Sequence, residues 1–172
     1  MKKLALSLTS MISAIGFIWP FFAAKNASHI IFWFATPFAL MLLILLIHQS
    51  RLDAKTIALL AVLASLIAAL RPLGGGAFGI EPMWFLLILS SYVYGASFGF
   101  LLGAISMFVS AFITGGFGPW LPYQVFGAAW IGLLAGVLPK SLRPRWEIPM
   151  LIGASLFLTE IFGILLDLQF WP

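Results

Sequence analysis

The chain contains no cysteine among its 172 residues. That excludes a disulfide framework, a thiolate nucleophile and any Cys-ligated metal. Charge is scarce too: charged residues make up 8% of the chain, against about 25% in an ordinary soluble domain. Histidine occurs only as His29 and His48, which are predicted on opposite sides of a membrane and cannot share a metal ion. No HExxH helix offers zinc chemistry, and no GxSxG elbow offers a serine nucleophile. No GxxxxGKS/T loop cradles a phosphate, so the chain is not expected to hydrolyse ATP itself. Together these absences point away from an enzyme and leave neither a metal nor a cofactor to propose.

What is abundant is apolar surface. Hydrophobic residues account for 63% of the chain, well above the roughly 45–50% of soluble domains. A fold of this length cannot hide so much from water, so its solvent is the lipid bilayer. The net charge of +4 does not imply a nucleic-acid partner, because the cations flank apolar runs and read as topology signals.

A membrane-spanning helix needs about 20 mostly apolar residues. Candidate runs are 4–22, 30–48, 55–70, 83–95, 97–114, 121–138 and 149–170. The pattern predicts an all-α, polytopic transmembrane bundle of about six or seven spans. It forms a single integral membrane domain over 1–172, with an N-terminal helical hairpin over 1–50 and a core over 51–172. The run 83–95 is short and runs through SYVYGAS into the next, which predicts a tight helical hairpin. The first run follows Met-Lys-Lys as a signal peptide would, yet lacks a small-x-small cleavage pattern and ends in Trp19-Pro20. A retained span is the expectation.

Basic residues orient the bundle. With the N-terminus inside, the inner segments carry Lys2, Lys3, Arg51, Lys55, Lys140, Arg143 and Arg145, and the outer ones only Lys25 and Arg71. The positive-inside rule therefore places the N-terminus in the cytoplasm of a multi-pass plasma-membrane protein. Two irregular segments, RPLGGGAFGIEP (71–82) and TGGFGPWLPYQ (114–124), then both face outward.

These segments combine glycine clusters, paired prolines and aromatic rings. Irregular backbone is tolerated at membrane depth only where protein buries it or water reaches it. Glycine lets backbone approach a ligand closely, and aromatic side chains give apolar walls with polar handles. The candidate ligand-binding residues are Arg71, Gly74, Gly75, Gly76, Phe78, Glu81 and Trp84 from the first segment and its flank. The second contributes Gly115, Gly116, Phe117, Trp120, Tyr123 and Gln124. The competing reading is a pair of turns carrying an interfacial aromatic belt, with Arg71 snorkelling at a helix end. Arg71 and Glu81 are placed to pair with each other or with a ligand carboxylate. Glu160, inside the last run, is a candidate for ligand contact, for a buried polar network or for a proton relay.

Small residues form helical stripes. Ala54, Ala58, Ala61, Ser65 and Ala68 recur at steps of four and three along one face. Gly99, Gly103, Ser106 and Ser110 do the same in the fifth run, and Ala128, Gly132 and Gly136 in the sixth. Such faces let helix backbones approach closely in lipid. Packing within the bundle is expected for the fifth and sixth runs, and a partner-binding face for the third.

In this order, an Ala-rich helix (KTIALLAVLASLIAAL), a Gly/Pro segment, a short helix, a Gly-rich helix and a second Gly/Pro segment resemble an S-component, the substrate-binding membrane subunit of energy-coupling factor (ECF) transporters. The resemblance covers roughly residues 55–138, and the pair RPLGGGAFGIEP and GGFGPWLPYQ looks like a subgroup associated with cobalamin uptake. It implies capture of a vitamin from outside and delivery through an ATP-driven module of one transmembrane coupling subunit and two ATPase subunits. The stripe from Ala54 to Ala68 would meet the coupling subunit. S-components usually have six core helices and only five runs follow residue 55, so either a final helix is missing or the leading hairpin shifts the numbering. Two readings outside that family also fit the residues: a structural or accessory membrane protein, and a small proton-coupled carrier or channel using Glu160.

Overall fold

A computed structural model describes residues 7, 8, 10–12, 14, 15, 41, 53–74, 81–140 and 144–170. Beyond scattered helical positions, the first two runs and their hairpin lie outside the described residues. Among those described, five long helices follow one another: α1 Ala54–Gly74, α2 Pro82–Tyr94, α3 Ala96–Thr114, α4 Leu121–Val137 and α5 Pro144–Phe170. The protein is an all-helical membrane bundle. By length and apolarity α1, α3 and the stretch Arg145–Leu168 of α5 can each cross a bilayer. Helix α2, with 13 residues, rises only about 20 Å, short of the roughly 30 Å hydrocarbon core.

The centre of the bundle is α3, which is buried at every position from Phe98 to Ala104 and again at Ser106, Met107, Ser110 and Ala111. A helix apolar on all sides must be surrounded, and α1, α2 and α4 all pack on it. Its seam with α4 is the most extensive in the molecule. A methyl group built on Gly99 would overlap the Gly132 carbonyl and the Ser91 side chain; one on Gly103 would enter the Ala128 backbone and one on Gly136 the Ala96 backbone. The stripes of the fifth and sixth runs thus face each other at backbone contact. Dispersion and close approach hold helices together where lipid removes the hydrophobic drive.

Helices α2 and α3 meet in a hairpin one residue wide. Gly95 takes φ 94°, its N–H donates to Ser91 O at 2.8 Å and its carbonyl accepts from Gly99 N at 2.9 Å. A side chain is strained at that φ. Helix α5 is peripheral: it packs on α4 and less closely on α2, and Leu158 is its one fully buried hydrophobic residue among those described. It begins at Pro144, before the expected residue 149, and passes through Pro149. The reason is tertiary. The Tyr92 hydroxyl donates to Glu147 Oε1 at 2.8 Å, and Lys140 Nζ, 5.9 Å from the Tyr92 ring, donates to Val93 O at 3.1 Å. This polar first turn, which hydropathy alone leaves out, is tied to the end of α2.

Both irregular segments are shorter than their composition suggests. Arg71 to Gly74 form the last turn of α1, with Pro72 inside it. Pro82 opens α2, where proline's missing N–H costs nothing. Thr114 ends α3, and Leu121 to Gln124 already belong to α4 with Pro122 in its first turn. Only 115–120 is non-helical in the second segment.

Candidate functional site

The end of the bundle at which α1 and α3 finish and α2 and α4 begin collects most of the candidate residues. Arg71 leaves the last turn of α1 and reaches across the bundle. Its Nη1 donates to Ser110 Oγ on α3 at 2.8 Å, and its Nη2 donates to Gln124 Oε1 on α4 at 2.9 Å. Ser110 is fully buried, and its hydroxyl passes a hydrogen bond of 2.8 Å to Met107 O. Three helices are therefore tied at one point by a guanidinium. A snorkelling arginine reaches away from the core toward headgroups; this one ends on a buried hydroxyl.

Glu81 is partly buried at the N-cap of α2, and its side chain makes no capping hydrogen bond. Its carboxylate attracts the Arg71 guanidinium through space. Trp84, one turn into α2, is buried and meets Phe162 of α5 edge to face with ring centroids 4.6 Å apart. Tyr123 and Phe126, each 7% exposed, add aromatic surface in the first turns of α4. The loop joining α3 to α4 is compact. Gly115 caps α3 in the left-handed region at φ 65° with its N–H on Ala111 O, a conformation that glycine adopts freely. The Trp120 indole N–H donates to Gly116 O at 3.2 Å, closing the loop on itself. Phe117 and Trp120 remain 45% and 40% exposed, and Gly74 is buried at the end of α1. Gly75, Gly76 and Phe78 lie outside the described residues.

This end of the bundle thus holds, among the described residues, one cation, two neutral acceptors and the buried aromatic side chains Trp84, Tyr123 and Phe126. The sequence matches the family described as "ECF-type riboflavin transporter, S component" over residues 51–167. That stretch holds all five helices almost to the end of α5. The chain belongs to this S-component family.

Curated relatives agree. A UPF0397 protein of Aliivibrio salmonicida (strain LFI1238) is 30% identical over 117 residues, covering 65% of this chain and 63% of the relative. UPF0397 proteins of Aliivibrio fischeri strains MJ11 and ATCC 700601 / ES114 are each 34% identical over 101 residues, 56% of this chain and 54% of theirs. The matches thus span between half and two thirds of the relatives' length. No solved structure matches the chain.

Two groups of candidates stand apart from the Arg71 cluster in this S-component. Glu160 is exposed; it sits two residues before Phe162, hence on nearly the opposite face of α5 from the ring that meets Trp84. On α1, Ala54, Ala58, Ala61 and Ser65 form an exposed face, with the Ser65 hydroxyl satisfied by Ala61 O at 2.8 Å, whereas Ala68 is fully buried in the bundle. Steps of four and three drift slowly around a helix of 3.6 residues per turn, and by Ala68 the stripe has entered the core. Sequence reasoning gave Ser110 a packing role and missed it as Arg71's partner. Its signal was present: a hydroxyl at the far end of an otherwise glycine-rich face, one turn from the loop.

Proposed function

We propose that this protein is the substrate-binding subunit of an ATP-driven vitamin importer, taking its ligand at the Arg71 end of the bundle. The observation that carries this reading is the convergence of Arg71, Ser110 and Gln124, from three helices, at the end of the bundle that carries the glycine-bearing connection 115–120, in a chain of the S-component family. The charge distribution of the sequence supports an outward-facing site in the plasma membrane, with the N-terminus cytoplasmic. The connection 115–120 would act as a gate over the ligand, and the second expected gate, 75–80, lies outside the described residues. Delivery would depend on a transmembrane coupling subunit and two ATPase subunits, with the exposed small-residue face of Ala54, Ala58, Ala61 and Ser65 against the coupling subunit.

Two vitamins come first for testing. Cobalamin is indicated by the resemblance of the glycine-rich segments, and riboflavin by the description of the matching family. The full chain, purified in detergent, is expected to carry or take up a vitamin, read by mass spectrometry, corrinoid absorbance or flavin fluorescence. Absence of any bound small molecule, with no thermal shift across a vitamin panel, would favour an accessory role. The exposed position of Glu160 adds no support to a proton-coupled carrier. Orientation is tested by cysteines placed at Gly75 and Gly116 and labelled from either side of intact cells: reaction from outside is expected, and reaction only from the cytosol would exclude the outward site.

A further inference from the structure

We infer that the ligand of this site carries an anionic oxygen group, a carboxylate or a phosphate, which Arg71 recognises; this rests on the vitamin-binding reading above. The chemistry begins with the arginine itself. A guanidinium stays charged in a protein and presents five N–H donors in a planar fork that matches an oxyanion. Among the described residues two of these donors are used, and both end on neutral acceptors, the Ser110 hydroxyl and the Gln124 amide oxygen. The side chain is therefore fixed in position while its charge is not cancelled by contact. Glu81 attracts it only through space.

A tie meant solely to join three helices in lipid has no need of a net charge. Even a partly buried cation held by neutral partners carries a cost, because its removal from water is repaid best by a counter-charge with good geometry. Here the missing counter-charge has a place to come from. Arg71 is in the last turn of its helix, at the end of the bundle where 115–120 joins α3 to α4, and no described residue takes the remaining N–H donors of the fork, which can serve a solute entering there. Buried Trp84, Tyr123 and Phe126 lower the local polarity, which strengthens an ion pair with any oxyanion that arrives.

The test uses the full chain in lipid nanodiscs and matched pairs of probes that differ in one anionic group. Suitable pairs are flavin mononucleotide and riboflavin, biotin and biotinamide, pantothenate and pantothenol, nicotinate and nicotinamide, with cyanocobalamin as a large probe whose only anionic group is an internal phosphodiester. The acid of at least one pair is expected to bind roughly ten- to a hundredfold more tightly than its neutral partner. The phosphate pair separates phosphate from carboxylate recognition.

Gln124→Glu is the deciding variant. It is nearly isosteric and puts a carboxylate on Arg71 Nη2, so the thermal midpoint should hold or rise while affinity for the acid falls at least about tenfold. Arg71→Lys, which keeps the charge but loses the fork, should also lose the preference for the acid. If cyanocobalamin or riboflavin binds best and Gln124→Glu leaves that binding unchanged, the anionic-ligand inference is overturned while the vitamin-binding reading survives. If no probe binds, that reading fails and this inference with it.

Discussion

The two ends of the bundle handle charge in opposite ways. At the Gly95 end, Glu147 accepts from the Tyr92 hydroxyl and Lys140 lies over the same ring while donating to Val93 O. An anion and a cation flank one aromatic side chain, and the group is satisfied from within the chain. At the Arg71 end, the guanidinium is held by two neutral oxygens, with the Glu81 carboxylate acting at a distance. The first arrangement anchors α5 to α2. The second leaves a cation uncompensated by contact among the described residues, at the end of the bundle where 115–120 joins α3 to α4.

The largest effect is expected at the seam that joins the ends. Gly132→Leu drives a side chain into the Gly99 carbonyl and should destabilise the bundle by roughly 1–3 kcal/mol or more, abolishing both features together; an unchanged thermal midpoint in nanodiscs would mean the helices are not in backbone contact. Next comes Arg71→Ala. It should reduce ligand affinity by one to two orders of magnitude, on the scale of hydrogen bonds to charged groups, and do so more strongly than any change at the Gly95 end. Equal loss from Tyr92→Phe would erase the contrast between the two ends.

Tyr92→Phe itself is expected to lower the thermal midpoint modestly, through release of the first turn of α5, with ligand affinity intact. Lys140→Gln should cost only about 0.5 kcal/mol, the value of an exposed cation–π contact, again read as a thermal shift. At complex formation the comparison extends to the side of the bundle: Ala58→Trp and Ala61→Trp should block assembly with a coupling subunit in pull-down while sparing ligand binding.

The smallest effect is at the start of α1. The hydrogen bond from the Thr56 side chain, with backbone N–H donors and nearby Lys55, holds the Asp53 carboxyl below its ordinary value despite slight desolvation. A depressed carboxyl stabilises the folded state above its unfolded pKa and loses that contribution as pH falls through the folded value. Wild type should therefore exceed Asp53→Ala slightly in thermal midpoint near neutral pH. The difference should start to shrink as pH falls through about 4 and vanish only below the lowered folded value, and a gap that stays constant down to strongly acidic pH would mean the side chain does not act through its charge.

Helix order, the tight hairpin at Gly95 and the packing role of Gly99, Gly103, Gly132 and Gly136 were legible because lipid imposes local rules. A span must satisfy its own backbone, and small residues at helical spacing permit close approach. The limits of the irregular segments were not legible. Glycine and proline mark helix ends without saying on which side of them the helix lies, so Tyr123 and Gln124 fall both in the irregular segment 114–124 and in the run 121–138, and the structure assigns them to α4. The inward reach of Arg71 was equally hidden, since an arginine at the end of an apolar run has the same sequence signature whether it turns out to headgroups or in to Ser110.

By itself the sequence determined that this is a membrane bundle, roughly where its five described helices run, and which faces are small enough for close packing. All of that follows from the solvent, which acts on each segment separately. Only the tertiary structure decided that a guanidinium from α1, a hydroxyl from α3 and an amide from α4 meet, that Glu160 is turned away, and that Ala68 leaves the exposed stripe. Those outcomes depend on the rotation of each helix about its axis, and rotation is fixed by neighbours rather than by the helix's own residues.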